Sequence, residues 1–128
     1  DWKTVTHEHV VQHPSLAALA PHIAIEDAVR TGFQDKRYLM RFRFKDGRSM
    51  DDAMKTVLAL PDAPAAVKDG ARTLQIFSGA DQNIPAWWQP PGAGFIDAYM
   101  SGTPPATAVL TLIPIAERNH FLAMITEY

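Results

Sequence analysis

One stretch of the chain, Arg37–Lys45, alternates apolar and basic residues with a period of two, and an apolar-rich stretch precedes it across a short break. His22–Thr31 is followed by Gly32-Phe33-Gln34-Asp35 and then by Arg37–Lys45, an arrangement that predicts a β-hairpin. Setting Val29 opposite Tyr38, Ile25 opposite Phe42 and Ile23 opposite Phe44 gathers the large apolar groups of both strands on one face. The other face then pairs Glu26 with Arg41 and Ala24 with Arg43, and a slip by one residue would bury the arginines. Asp27 alone disagrees with this register, because it falls on the apolar face beside Met40. Either the strand bulges there or Asp27 has a partner that the pattern does not reveal.

The period changes after Asp46-Gly47. Ser49 followed by Asp52 resembles a capping box with aspartate in place of the usual Glu or Gln. Met50, Ala53, Met54, Val57 and Leu58 then recur at helical spacing, so a helix is expected from Ser49 to the breaker Pro61. A short helical turn is expected at Ala65–Lys68 and a strand at Thr73–Phe77. Near the end, Thr107–Ile113 and His120–Thr126 carry large apolar residues on both faces, the mark of central, covered strands. Ser15–Ala20 is expected to form one or two helical turns between Pro14 and Pro21. Residues 1–13 are irregular, with alternation only across Val5–Val11, and predict an edge strand or a loose arm. Between Ser78 and Pro105 lie five prolines and four glycines in 28 residues. That segment predicts a long ordered loop with a helical turn at Phe95–Met100.

These elements predict an α+β fold in one domain spanning the chain: a mainly antiparallel sheet of about five strands packed on one principal helix as a two-layer sandwich. The length of 128 residues suits one domain, and an apolar share of 47% supplies a core. The chain has no cysteine, which excludes disulfides, thiolate metal sites and thiol nucleophiles. A net charge of −2 gives no field that would draw nucleic acid or an anionic membrane. No apolar run approaches the length of a spanning helix. The first residue is Asp1 and not methionine, so an exported, processed protein of the periplasm or beyond is expected.

Three groups of residues carry candidate chemistry. Trp87 and Trp88, set between Pro85 and Pro90-Pro91 and followed by Tyr99, offer flat aromatic faces for a sugar, a quaternary amine or a peptide, or else anchor the loop in the core. Arg37, Arg41, Arg43 and Lys45 line one face of the second hairpin strand and suit a carboxylate, a phosphate or an acidic partner, or else form a charge-balanced surface. His7, His9 and His13 are the one cluster with metal-ligand character, since residues two apart on a strand point the same way, but no metal motif matches their spacing. Asp27 and Asp35 form a possible acid pair. No nucleophile elbow, P-loop or dinucleotide fingerprint is present, and no cofactor is expected.

The order of Gly32-Phe33-Gln34-Asp35, Tyr38-Leu39-Met40-Arg41-Phe42, a helix, Pro85-Ala86-Trp87-Trp88-Gln89-Pro90, Tyr99 and a closing apolar hairpin resembles a loose group of small bacterial domains, exported or lipid-anchored, with no assigned activity. The resemblance covers residues 23–126. It implies an α/β sandwich in the cell envelope and brings no catalytic residues, and this chain departs from a lipid-anchored form in having no cysteine at its start. The expected function is a non-enzymatic binding or interaction domain, inhibitor- or immunity-like in one form, whose partner is another protein or a small envelope ligand. The alternative is a small metal-dependent or acid/base hydrolase using the amino-terminal histidines or Asp27.

Overall fold

The computed structural model describes residues 2–31, 36–59, 72–75, 84–88, 95–101, 108–115 and 118–127, of which 72–75 and 95–101 are described in their backbone only. The elements are β1 (Lys3–Thr4), α1 (His7–Val11), two 3-10 turns (Pro14–Leu16 and Ala20–His22), β2 (Ile23–Thr31), β3 (Lys36–Phe44), α2 (Met50–Leu58), β4 (Arg72–Gln75), β5 (Phe95–Ser101), β6 (Ala108–Ile115) and β7 (His120–Glu127). All seven strands join one antiparallel sheet in the order β1-β2-β3-β7-β6-β5-β4. Five of them are long. The other two, β1 and β4, are short edge strands of two and four residues. The fold is α+β, as the periodicities predict, with α2 as its principal helix.

The hairpin register holds where Ile23 meets Phe44, Ala24 meets Arg43 and Ile25 meets Phe42, then shifts by one residue between Ile25 and Asp27. Glu26 is the inserted residue. Beyond it Asp27 lies opposite Arg41, Ala28 opposite Met40 and Val29 opposite Leu39, in place of the expected pairs Glu26–Arg41 and Val29–Tyr38. The bulge resolves the misplaced aspartate: one extra residue swings Asp27 from the apolar face to the arginine face, and small Ala28 takes the buried position beside Met40. Both open alternatives hold, since the strand bulges and Asp27 has a partner.

One face of the sheet carries Tyr38, Met40, Phe42 and Phe44 from β3, Phe121, Ala123 and Ile125 from β7, and Leu110 and Leu112 from β6. Phe42 and Phe121 stack at 5.1 Å between centroids. Ala53 and Val57 of α2 close over this face, flanked by Met50, Met54 and Leu58. Ser49 caps α2 by accepting from the Asp52 amide, a contact worth about 1 kcal/mol. The turn before it is set by Gly47 at φ 64° and by Arg48, whose guanidinium grips both carboxylate oxygens of Asp46 and lies 4.9 Å from the Phe44 ring centroid. That grip lowers the Asp46 pKa to about 2.

Of the two expectations for the amino-terminal residues, an edge strand or a loose arm, the structure shows an edge strand at Lys3–Thr4. Val5, Val10, Leu16 and Leu19 are all buried in the same cluster. β1 pairs with β2 through Lys3 opposite Arg30 and Thr4 opposite Val29, and α1 follows at once with Thr6 as its cap. The alternation across Val5–Val11 is thus split between a strand end and a helix. Residues 95–101 differ from expectation: they form β5, and not a helical turn, because the edge of β6 offers Leu110, Thr111 and Leu112 as partners. The expected turn at Ala65–Lys68 and the break at 32–35 lie outside the described residues. The strand expected at Thr73–Phe77 is β4, at Arg72–Gln75. Among the described residues, no helix is long and apolar enough to cross a membrane.

Candidate functional site

The second face of the sheet holds the residues that the sequence singles out, in rows across β2, β3, β7 and β6. One row runs Asp27, Arg41, Leu122, Ile113. The next runs Ala24, Arg43, His120, Ile115, because the register that sets Phe42 against Phe121 carries Arg43 to His120. Arg41 Nη2 lies 2.5 Å from Asp27 Oδ2, both side chains about 30% exposed. Arg43 donates from Nε to Glu26 Oε1 at 2.9 Å and from Nη1 to the Arg118 carbonyl at 3.1 Å. The bulge is what brings two carboxylates against these two arginines. Arg37 sits at the far end of β3, opposite Thr31 and Thr126, half-buried, and has an interaction of its own. The basic face is therefore neutralised from within at Arg41 and Arg43, which weakens it as a site for an outside anion.

Trp88 is 2% exposed and packs into a second apolar cluster with Leu39, Ile113, Ile115 and Leu122. Its faces are covered, so Trp88 is an anchor of the loop and not an open platform. Trp87 is half-buried and meets Trp88 edge-on at 6.3 Å. Tyr99 lies on β5 opposite Leu112, and its side chain is outside what the structure describes. Asp35 lies outside the described residues as well.

Sequence reasoning passed over His120. It follows Asn119, which takes the left-handed conformation at φ 51° that asparagine tolerates better than most residues. His120 is 1% exposed, and neither ring nitrogen has a hydrogen-bond partner among the described residues. The Trp88 indole nitrogen and Arg41 Nε are in the same condition. Burial lowers the His120 pKa below its ordinary 6.5, and the charges of Arg41 and Arg43 lower it further. The signal was faint because one histidine in an apolar strand breaks no period.

The amino-terminal histidines do not converge. His7 and His9 sit exposed on α1, where two residues of helical rotation point them to different sides, unlike on a strand. His13 Nδ1 accepts from the Ser15 amide at 3.1 Å, and its Nε2 lies 2.9 Å from Glu127 Oε1. An amide that donates into Nδ1 requires that nitrogen to be bare, so the ring proton sits on Nε2 and points at Glu127. His13 packs edge-on against Tyr38 and ties the segment after α1 to β7. Among the described residues, no three His, Asp or Glu gather as metal ligands.

Among the described residues, a concavity lies elsewhere, at the β2 edge. A groove of about 470 Å³ runs between α1 and β2, lined by His7, Glu8 and Val11 of α1, Ala20 and Pro21 of the second 3-10 turn, Ile23 and Ile25 of β2, and Lys45. Its lining is mostly apolar, and His7, Glu8 and Lys45, which complete it, are exposed residues. α1 builds it because positions 7, 8 and 11 share a helical side while Val10 turns into the core. The sequence hid this site. Alternation across Val5–Val11 suggested one strand, which would have placed Val11 and His7 along an edge and left no wall.

No family model matches the chain, and comparison with the curated proteins and with the solved structures returns no similar protein, so a functional reading rests on the geometry of these two regions.

Proposed function

We propose that this chain is a non-enzymatic binding domain whose ligand sits in the groove between α1 and β2. The observation that carries the reading is the groove itself: an open, mostly apolar concavity lined by Val11, Ile23 and Ile25 together with Lys45, His7 and Glu8. Ligand sites are typically concave, mostly apolar and supplied with a few polar groups that fix orientation. The alternative hydrolase has no comparable support. Its histidines point apart or are engaged, and Asp27 is paired with Arg41. A place in the bacterial envelope belongs to the same proposal and rests on the resemblance in sequence alone. The Trp87–Trp88 loop and the arginine face, which the sequence favoured as the interacting surface, serve in this reading as the support of the sheet's other side.

The test uses anilinonaphthalene sulfonate, an apolar anion that brightens on entering such a site. The folded protein is expected to bind it saturably at one site. Val11→Glu, which puts a charge on the half-buried groove wall, is expected to weaken binding about tenfold, a loss of about 1.4 kcal/mol, with little change in melting temperature. Equal binding by both proteins would overturn the assignment of the groove.

A further inference from the structure

We propose that the occupant of the groove is an extended peptide that adds to the sheet beside β2, antiparallel to it, with an apolar side chain against Ile25 and an acidic group toward Lys45. The inference rests on the groove being the binding site and names the class of ligand.

The Lys45 amide donates to the His22 carbonyl, so His22 with Lys45, and two residues on Ala24 with Arg43, are hydrogen-bonded pairs of the hairpin. Ile23 and Ile25 occupy the alternate positions, whose amides and carbonyls point away from β3. On that outer side β1 pairs with Arg30 and Val29, and the Val5 amide takes the Ala28 carbonyl. There the pairing stops. Thr6 is committed to capping α1, accepting from the His9 amide, and the chain leaves the sheet. Along the track that β1 would have followed past Ala28, beside Ile25, no described strand pairs with β2. Ile23 is buried, whereas Ile25 is half-exposed, so Ile25 is the position of this pair at which an added strand is expected to bond.

That track borders the groove, because Ile23 and Ile25 lie along it and also line the groove. A strand laid on it sends alternate side chains toward the face on which Val11, Ile23 and Ile25 line the groove. A small apolar molecule would fill the groove and leave the Ile25 backbone to water. A peptide satisfies both, which is the logic of strand addition. Direction follows from β1: its chain runs Lys3 to Val5 while its partners run Arg30 to Ala28, so continuing the track runs from Asp27 toward Ile23. The carboxyl-terminal end of the added peptide then arrives at Lys45, the residue that follows β3 and bonds back to His22. Lys45 is exposed and has no ion pair among the described residues, so an acidic side chain or a terminal carboxylate is its complement.

The experiment titrates the intact chain with a pool of acetylated hexapeptides that alternate threonine with apolar residues and end in aspartate. Members retained by the protein are then resynthesised with single N-methyl groups along the backbone. Methylation at the one amide that meets the Ile25 carbonyl is expected to weaken binding about tenfold, as loss of that hydrogen bond and the clash with it would, while the adjacent positions tolerate it. Lys45→Glu is expected to reject the aspartate-ended peptides and to accept the same peptides ended in lysine. Uniform tolerance of methylation, or failure to retain any peptide while anilinonaphthalene sulfonate still binds, overturns the strand proposal and leaves the groove as a site for small apolar ligands. Failure of both probes overturns the groove itself. Concentration-dependent dimerisation abolished by Ile25→Lys would instead assign the track to a second copy, and would overturn the peptide.

Discussion

The two faces of the sheet are built from the same three central strands and reach opposite solutions. The face beneath α2 is apolar throughout: Phe42, Phe44 and Phe121 pack ring against ring, and Met40, Leu110, Leu112, Ala123 and Ile125 fill the space around them. The other face is divided. Trp88 plugs an apolar half over Leu39, Ile113 and Leu122, while the half beside it holds Asp27, Arg41, Arg43 and His120. Covering a face with a helix demands only shape and apolarity. The divided face instead holds polar groups whose partners must be placed one by one, and His120 is left without one among the described residues. The difference separates what stabilises this protein from what it tolerates.

Truncation tests that comparison most strongly. Phe42→Ala removes a ring that stacks on Phe121, and Trp88→Ala removes the plug of the second face. Each is expected to cost about 3–5 kcal/mol, read as a lowered midpoint in chemical denaturation. If Trp88→Ala leaves the midpoint in place, Trp88 does not hold the second face and the exposed-platform reading of the tryptophan loop returns.

His120 sharpens the comparison in the opposite direction, because its removal is expected to stabilise. Its pKa in the folded protein is held below 6.5 by burial first and by Arg41 and Arg43 after. The unfolded chain therefore takes up a proton as pH falls through 6.5, while the folded chain resists. Stability is full above the unfolded value and is lost as pH falls from there toward the folded value, with a slope of at most about 1.4 kcal/mol per pH unit. His120→Leu deletes this dependence and two unpaired ring nitrogens. The variant is expected to exceed the parent in stability most at about pH 5 and least at about pH 8, by denaturant titration at each pH. An equal gain at both values would show that the ring is not held neutral by its site.

Much of the fold was legible because it follows from period. Alternation across β3, helical spacing from Ser49, and doubly apolar β6 and β7 each state their element without reference to the rest. The bulge at Glu26 was half legible: Asp27 announced a conflict, but only the partner strand decides how it is relieved. β5 was hidden since its pairing with β6 is non-local and its own residues, Phe95–Ser101, also read as a helical turn. The groove was hidden for a related reason. It needs α1 to leave the sheet at Thr6, and the pattern from Val5 to Val11 suits a strand equally well. Trp88 could not be assigned from sequence, because a tryptophan between prolines looks alike whether its face is covered or bare.

The smallest expected effect distinguishes the two arginines of the divided face. Arg41 and Asp27 are each about 30% exposed, whereas the Arg43 side chain is 45% exposed, so solvent screens the second pair more. A double-mutant cycle with Asp27→Ala and Arg41→Ala is expected to return a coupling of about 1 kcal/mol, and the Glu26–Arg43 cycle about half of that. Both are expected to shrink in high salt, the second faster. The order matters for the site as well as for stability. Arg43 also holds the Arg118 carbonyl, two residues before His120, so its loss is expected to loosen the turn that carries the histidine. Arg43→Ala should then weaken the pH dependence assigned to His120, by removing one of the cations that oppose its protonation, while Arg41→Ala weakens it through charge without touching that turn. If neither arginine alters the pH dependence, burial, with Arg118 as the remaining cation, lowers the His120 pKa, and the polar half of this face is a set of separate ion pairs without a common field.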